Sequence, residues 1–245
     1  MSRVSPCAGM IQIRFDGRRL MTFLSARPTG LPCAQQPTIV GPVTELSDIT
    51  PEAYGVGARF TLSVYDSDYV SIILGALRSA DADGLTIETD DISTWVTGSE
   101  QRVISYVRDV VAAAAASGAH LSVALMLSRG CPAGMTCELP SGVRALGADP
   151  VALEATGVRA RAHWSLYPLL DGGSEGDHLT PILEAIEKAK SEGVYDGLDH
   201  GATRLDADLA RVLETVANAW IGVGSVVQHV TTHVTISINS PGTPA

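Results

Sequence analysis

Two kinds of hydrophobic spacing follow each other along the chain and predict two kinds of element. Apolar and polar positions alternate in FTLSV (60–64) and HWSLY (163–167), which are rich in aromatic or β-branched residues, so both segments predict strands. Apolar residues recur at helical spacing in 69–80 and 179–193, and each segment ends near a glycine, so both predict helices. The chain therefore combines strands with amphipathic helices.

The same order of elements continues after each of these helices. Segment 85–98 has two alternating runs around Asp90-Asp91 and predicts a hairpin, and 195–206 occupies the corresponding place. Helices are predicted at about 99–117 and 207–225, where Ser99 and Asp208 are suitable N-caps and Asp206 is an alternative to Asp208. Strands at 120–128 and 229–238 close the two series.

This series of elements is present twice in the chain. HLSVALMLSRGCP (120–132) aligns with HVTTHVTISINSP (229–241) at an offset of 109 residues, and the offset is constant back to the first helix of each series. Upstream of that helix the offset is 104, because the second copy has five more residues around DGGSEGDH. A change of length between a strand and a helix is typical of a surface loop.

The order βαββαβ in two copies predicts an α+β fold of tandem ferredoxin-like repeats, with helices on one face of antiparallel sheets. We place repeat 1 at 54–132, a linker at 133–157 and repeat 2 at 158–241. Residues 1–53 are rich in Pro, Gly, Arg and Thr and predict a disordered N-terminal extension, within which Met10 or Met21 is an alternative start.

Composition limits the classes of binding partner and the cellular compartment that we expect. The net charge of −10 disfavours a nucleic-acid partner, because an acidic body repels phosphate backbones. The four cysteines show neither a zinc spacing nor a disulfide framework. The apolar run 110–127 is interrupted by Ser117-Gly118 and predicts a buried helix and strand instead of a membrane span, and the N-terminus does not resemble a secretory signal. We therefore expect a cytoplasmic protein.

His229 and His233 are four residues apart, as in the H-x-x-x-H pair of many zinc hydrolases. If 229–238 is a strand, however, the two side chains lie roughly 13 Å apart on one face, too far to share an ion. The Glu of H-E-x-x-H is absent, and repeat 1 has Ala124 in place of His233. We expect no metal site here and interpret His120 and His229 as structural histidines.

The HWSLYPL strand, the TDDIST hairpin, and the closing segments ending in GCP and NSP resemble the YkoF-like thiamine/hydroxymethylpyrimidine (HMP)-binding proteins. The resemblance covers both repeats in order, about 55–241. It implies tandem ferredoxin-like domains, a homodimer, and one pocket per repeat that binds thiamine chiefly through its pyrimidine ring. It also implies a non-enzymatic role in uptake or salvage of the vitamin or its precursor, with a membrane transporter as a candidate partner.

An aminopyrimidine pocket needs a few fixed polar groups and a flat apolar wall. The candidate ligand-binding residues are Leu62, Thr94, Leu166, Thr203, Tyr167, Asp90 and Asp199. Each has a purely structural alternative, namely a core leucine, a strand threonine, a packing tyrosine or a turn-forming aspartate. Repeat 1 has Ser63-Val64 where repeat 2 has Tyr167-Pro168, which predicts an altered first pocket.

Other function classes remain open at this point. The ferredoxin-like tandem also suits a regulatory small-molecule sensor, which is an analogy of fold alone. An enzyme acting on a pyrimidine compound is a further alternative, although the sequence has no nucleophile elbow, P-loop or paired-carboxylate motif. We expect no catalytic residues and no cofactor, and we expect Trp95, Trp164 and Trp220 to lie in the core.

Overall fold

The computed structural model describes residues 49–130, 145–169 and 179–241. Parts of three predictions lie outside these ranges. They are residues 1–48 of the N-terminal extension, residues 131–144 at the end of repeat 1 and in the linker, and residues 170–178 in the loop with five extra residues.

The described residues form five helices and eight strands in the order βαββαβ, twice, after one short helix. The first group is α1 (Pro51–Tyr54), β1 (Gly57–Tyr65), α2 (Tyr69–Ser79), β2 (Thr86–Thr89), β3 (Thr94–Thr97), α3 (Glu100–Ala115) and β4 (His120–Arg129). The second group is β5 (Arg159–Leu169), α4 (Leu179–Ser191), β6 (Tyr195–Asp199), β7 (Ala202–Asp208), α5 (Leu209–Gly224) and β8 (His229–Ile238). The α+β tandem fold predicted from the sequence is confirmed.

The helical turn α1 begins inside the segment 1–53 that the sequence analysis assigned to a disordered extension, and it ends at Tyr54, the first residue of repeat 1. Thr50 caps it by accepting a hydrogen bond from the Ala53 backbone amide, and Pro51 occupies the first helical position. Gly55 ends the turn with φ 81°, and Tyr54 is buried in the core. The order at residues 50–54 thus comes from capping and from one buried aromatic ring, which composition alone does not reveal.

All eight strands belong to one antiparallel sheet in the order β2-β3-β1-β4-β8-β5-β7-β6. The two repeats join through β4 and β8, whose register pairs Leu121 with Ile238 and Arg129 with Val230. The central pair is Leu125 opposite Val234, and these two residues are equivalent in the two repeats because they are 109 residues apart. The molecule therefore has an internal pseudo-twofold axis through this pair.

The two faces of the sheet differ in what covers them. On one face, alternate strand residues such as Phe60, Leu125, Trp164 and Ile236 are buried and form the core with helices α2 to α5. The intervening residues point to the other side, which we call the open face, and they are mostly polar. This alternation follows from the two-residue period of a strand.

The core of repeat 1 contains an ion pair that repeat 2 lacks. Arg129 is fully buried at the end of β4, and one of its guanidinium nitrogens lies 3.1 Å from the Glu100 carboxylate. The guanidinium also donates to the carbonyl oxygens of Leu146 and Ile221. Burial lowers the pKa of Arg129, an effect that the Glu100 charge opposes. At the equivalent positions repeat 2 has two buried apolar residues, Leu209 and Ile238.

A second difference between the repeats is a pair of buried hydrogen bonds at Trp164. Its indole N–H donates to Thr232 Oγ1 at 2.7 Å, and the Thr232 hydroxyl donates to the Ser165 carbonyl oxygen at 2.9 Å. In repeat 1 the equivalent residues are Phe60 and Val123, which need no such bond. A buried indole and its hydroxyl acceptor thus replace two apolar side chains together.

The described part of the linker, residues 145–157, is held against helices α3 and α5 by side chains. The amides of Gln101 and Asn218 each accept from a backbone N–H and donate to a carbonyl oxygen, at Ala152 and Val151 respectively. The Asp208 carboxylate accepts from the backbone amides of Thr156, Gly157 and Ala210. Residues 151–157 of the linker are therefore bound to a helix of each repeat.

Among the described residues no helix is both long enough and apolar enough to cross a membrane. Eight residues of the apolar run 110–127, among them Ala114 and Leu121, are buried in α3 and β4, which is the helix-and-strand arrangement expected from that run.

Candidate functional site

Two of the predicted residues in repeat 1, Leu62 and Thr94, lie on the helix-covered face of the sheet. Thr94 of β3 is directly opposite Phe60 of β1, and Leu62 is the next residue of β1 on that face. Leu62 and Thr94 are therefore diagonal neighbours, roughly 7–8 Å apart. Thr94 is only 5% exposed, and its hydroxyl lies 3.1 Å from that of Thr89. We call this group the repeat 1 wall.

The corresponding residues of repeat 2 form the same arrangement, which we call the repeat 2 wall. Thr203 of β7 is opposite Trp164 of β5, and Leu166 follows Trp164 on the same face. Thr203 is 6% exposed, and among the described residues its hydroxyl has no hydrogen-bond partner. Leu198 stands where repeat 1 has Thr89, so the hairpin strands of repeat 2 contribute one hydroxyl to the wall where those of repeat 1 contribute two.

The helix over each wall is packed only in part. In α2 the only buried side chain is Ala76, and in α4 the buried side chains are Ala185 and Ala189. Apolar side chains in the N-terminal halves of both helices remain about half exposed at equivalent positions, Val70 and Leu74 in α2, and Leu179 and Leu183 in α4. Ile72 and Leu77 of α2 and Ile182 of α4 are partly buried against the core, so each helix covers the sheet with only part of its apolar surface.

The structure does not bring Asp90 and Asp199 into these walls. The Asp90 carboxylate accepts from the backbone amides of Ile92 and Ser93 at 2.8 and 2.7 Å, and these bonds, the Ile92 bond first, lower its pKa. Asp90 therefore holds the β2–β3 turn. Asp199 lies 2.5 Å from His200 Nδ1 and 3.6 Å from Nε2 of His163, a residue of the open face.

Tyr167 also lies apart from the repeat 2 wall. It follows Leu166 directly in β5, so it points to the open face, where it is 50% exposed. Trp95 points to the same face from β3, with the Arg59 guanidinium 5.5 Å from its ring centroid. The expectation that Trp95 lies in the core was wrong, whereas Trp164 and Trp220 are buried as predicted.

The histidines of β4 and β8 lie on the open face. His229 and His233 are on the same side of one strand, as the alternation predicted, and His233 faces Met126 and Ser165 on the neighbouring strands. In the described ranges no group of three or more His, Cys, Asp or Glu side chains could hold a metal ion. His120 stacks on Tyr65 and lies 3.3 Å from the Ser237 hydroxyl.

Three residues of the walls were not identified from the sequence. Thr89 is the partner of Thr94, and Trp164 with Thr232 forms the floor of the repeat 2 wall. The alignment of the repeats contained a signal for the last two, because Trp164 and Thr232 differ together from Phe60 and Val123.

Comparison with known proteins shows a family that covers both repeats. The model of the YKOF-related family matches residues 55–134 and again 159–243. The chain belongs to the YkoF-related family. It is also similar to the "Putative HMP/thiamine-binding protein YkoF" of Bacillus subtilis (strain 168), with 31% identity over 189 residues, which cover 76% of this chain and 90% of that protein. Each wall lies within one of the two matched segments, so the resemblance inferred from the sequence is confirmed.

Proposed function

We propose that this YkoF-related protein binds thiamine or its hydroxymethylpyrimidine moiety, with one pocket per repeat between the wall and the partly packed helix. The observation that carries the proposal is the doubled wall, in which a buried threonine and an apolar floor lie at equivalent positions of both repeats. The similarity to a relative named for binding HMP and thiamine supports the choice of ligand.

The walls suit an aminopyrimidine chemically. A threonine hydroxyl both donates and accepts, so it can donate to a ring nitrogen and accept from the exocyclic amine. Phe60 or Trp164, with Leu62 or Leu166, offers the flat apolar surface on which the ring packs. Neither wall has a charged side chain among these residues, so the pyrimidine, which is neutral, is a better fit than the cationic thiazolium.

The two pockets should differ in affinity. In repeat 1 the Thr94 hydroxyl is already within hydrogen-bond distance of Thr89, so a ligand competes with an internal bond. The Thr203 hydroxyl has no such partner in the described part of the chain and is ready to bind a ligand. We expect tighter binding in repeat 2.

Calorimetric titration with thiamine and, separately, with HMP tests the proposal. We expect two sites per chain, and each site should raise the free energy of unfolding by about 2.7 kcal/mol at a ligand concentration about 100 times its own Kd. Thr203→Val should weaken the tighter site about tenfold, and Thr94→Val should weaken the other. Thr231→Val, on the open face of β8, is the matched control and should bind as the parent does.

Absence of heat and of stabilisation with both ligands would refute the binding function. Unchanged binding in both Thr203→Val and Thr94→Val would refute the location of the pockets and leave the function standing. A change in Thr231→Val as large as that in Thr203→Val would show that the effect is not specific to the walls.

The proposed ligand also leads to a proposal for the cellular role of the protein. We propose that the protein acts in the cytoplasm as a non-enzymatic carrier in thiamine or HMP uptake or salvage, as a homodimer, and that a membrane transporter is its partner. Light scattering coupled to size exclusion measures the oligomeric state directly. Incubation with HMP or thiamine followed by mass spectrometry should recover the ligand unaltered, and a chemically changed product would contradict the non-enzymatic role.

A further inference from the structure

One row of residues, with one residue from each strand, crosses the covered face of the whole sheet. From the two edges inward it contains Thr89 and Leu198, then Thr94 and Thr203, then Phe60 and Trp164, and it closes at the central pair of β4 and β8. The inner residues are buried, whereas the two outermost residues are exposed, Leu198 by 69%. We call Thr89 and Leu198 the rim residues, because each lies at the outer end of one wall.

The rim residues are equivalent in the two repeats but differ in chemistry. Repeat 1 has a hydroxyl group at Thr89 where repeat 2 has the apolar side chain of Leu198, whereas the next position inward is threonine in both repeats. We infer that Thr89 shifts the preference of the repeat 1 pocket toward HMP and that Leu198 shifts the preference of the repeat 2 pocket toward thiamine. This inference rests on the proposed function, since it concerns the same two pockets.

The rim residues are placed to contact the part of the ligand that differs. HMP and thiamine share the aminopyrimidine ring, and the carbon next to the amine-bearing carbon has a hydroxymethyl group in HMP and a methylene-linked thiazolium ring in thiamine. When Thr94 or Thr203 accepts from the amine, this group lies beside that threonine. The inner neighbour lies under the pyrimidine ring in the proposed pose, so the group is directed to the outer neighbour, whose Cβ is about 4.5–5.5 Å away.

The two hydroxyl groups of repeat 1 can bind HMP without losing their own contact. Thr89 Oγ1 and Thr94 Oγ1 are 3.1 Å apart, and either can donate to the other. When Thr94 donates to Thr89, its oxygen still accepts from the ligand amine, and the Thr89 hydroxyl is free to donate to the hydroxymethyl oxygen. HMP thus gains a hydrogen bond at Thr89 that thiamine, which has no hydroxyl at this position, does not form.

Leu198 has the opposite effect in repeat 2. A hydroxymethyl group directed at this side chain loses contact with water and gains no hydrogen-bond partner from it. The larger thiazolium ring covers part of the exposed Leu198 side chain, and removal of that apolar surface from water is favourable. Each preference is a ratio of two affinities within one pocket, so both ligands can still bind more tightly in repeat 2.

A difference in charge near the rim residues opposes this preference and can be separated from it. Repeat 1 has Asp91 where repeat 2 has His200, so repeat 1 attracts the cationic thiazolium more strongly. Asp91 is exposed and the His200 side chain is 99% exposed, so salt screens this attraction. At about 1 M salt the Debye length is about 3 Å, and the short-range contacts of Thr89 and Leu198 should determine the ratio.

The test is a titration of the whole protein with HMP and with thiamine at this salt concentration. Amide NMR shifts of the β2–β3 hairpin report the repeat 1 pocket, and those of the β6–β7 hairpin report the repeat 2 pocket. We expect the ratio of the thiamine Kd to the HMP Kd to be higher in repeat 1. Thr89→Leu should lower this ratio in repeat 1 about fivefold, and Leu198→Thr should raise it in repeat 2 by a similar factor.

A control variant and a third ligand isolate the contact at Thr89. Thr86→Leu is the same substitution at an exposed position on the opposite face of β2, and it should leave both ratios unchanged. The analogue of HMP with a methyl group in place of the hydroxymethyl group should bind repeat 1 about fivefold more weakly than HMP does. In Thr89→Leu this difference between HMP and its analogue should disappear.

The inference is overturned if both pockets have the same ratio, if neither exchange changes the ratio, or if Thr86→Leu changes it as much as Thr89→Leu does. In each of these cases both ligands still bind, so the proposed function stands. Absence of binding by HMP and by thiamine would overturn the proposed function and this inference together. The amide spectrum of each variant shows whether it is folded, so loss of the fold is not mistaken for a change of preference.

Discussion

The buried pair of Glu100 and Arg129 should be strongly coupled in stability, and repeat 2 provides the design that tests this. The Arg129 side chain is 0% exposed and the Glu100 side chain 9%, so neither charge is solvated when its partner is removed. Glu100→Leu or Arg129→Ile alone should lower the free energy of unfolding by about 3–5 kcal/mol, because each leaves an uncompensated buried charge. Each single substitution introduces the residue that repeat 2 has at the equivalent position.

The double variant Glu100→Leu with Arg129→Ile should be much closer to the parent than either single variant. It removes both charges and recreates the Leu209–Ile238 combination, but it leaves the carbonyl oxygens of Leu146 and Ile221 without the Arg129 donors. Each lost hydrogen bond costs about 1 kcal/mol, so we expect a net loss of about 2 kcal/mol or less. The interaction free energy of the cycle should then exceed about 3 kcal/mol.

Urea denaturation of the four proteins measures this cycle. Asp81→Asn, which breaks the exposed ion pair between Asp81 and Arg102, is the matched control and should lower the stability far less than either single variant, because solvent screens an exposed pair. The reasoning fails if the free energy of unfolding falls no more in the single variants than in this control. It also fails if the losses of the two single variants simply add in the double variant, because either result would mean that the charges are solvated.

Three further predictions follow from particular contacts. Thr232→Val removes the acceptor of the buried Trp164 indole and should lower the free energy of unfolding by about 1–3 kcal/mol in urea denaturation. A loss under about 0.5 kcal/mol would show that the indole finds another acceptor. Gly130→Ala should cost about 3 kcal/mol or more in the same assay, because at φ 82° its Cβ would lie 1.8 Å from the Gln228 carbonyl oxygen. Burial raises the pKa of Asp208, but hydrogen bonds from Thr156, Ala210 and Gly157 outweigh it and lower the pKa below 3.8. A carboxylate with a lowered pKa stabilises the fold above its unfolded pKa, so this contribution should disappear as the pH falls below about 4. The melting temperature of Asp208→Asn should therefore depend less on acid pH than that of the parent. Ser99 is the equivalent N-cap of α3 and makes no side-chain cap hydrogen bond, so Ser99→Ala should keep the acid dependence of the parent.

The elements of this fold were predictable because their signals are local. Strand β8 has the bounds 229–238 that alternation and β-branched residues predicted, and Asp208 caps α5 as expected. The joining of both repeats into one sheet was not predictable in the same way. It depends on β4 pairing with β8 across more than a hundred residues, and no local pattern distinguishes that pairing from two separate sheets.

The candidate site was predictable in part, for a related reason. Matching of the repeats indicated Leu62 with Leu166 and Thr94 with Thr203, and the structure places each pair at equivalent positions on the covered face. Tyr167 could have been separated from this set by the sequence, because two adjacent strand residues point to opposite faces. The bond between Thr89 and Thr94 required the hairpin register, which the sequence did not determine.

The pseudo-twofold axis between β4 and β8 has a consequence for how such a chain can change. In a dimer of identical half-length chains, the residue at the axis would face its own copy, and every substitution would appear on both sides at once. In this chain Leu125 faces Val234, and Met126 faces His233, so the two sides already differ. Because both halves belong to one chain, a substitution on one side of the β4–β8 pair leaves the residue on the other side unchanged.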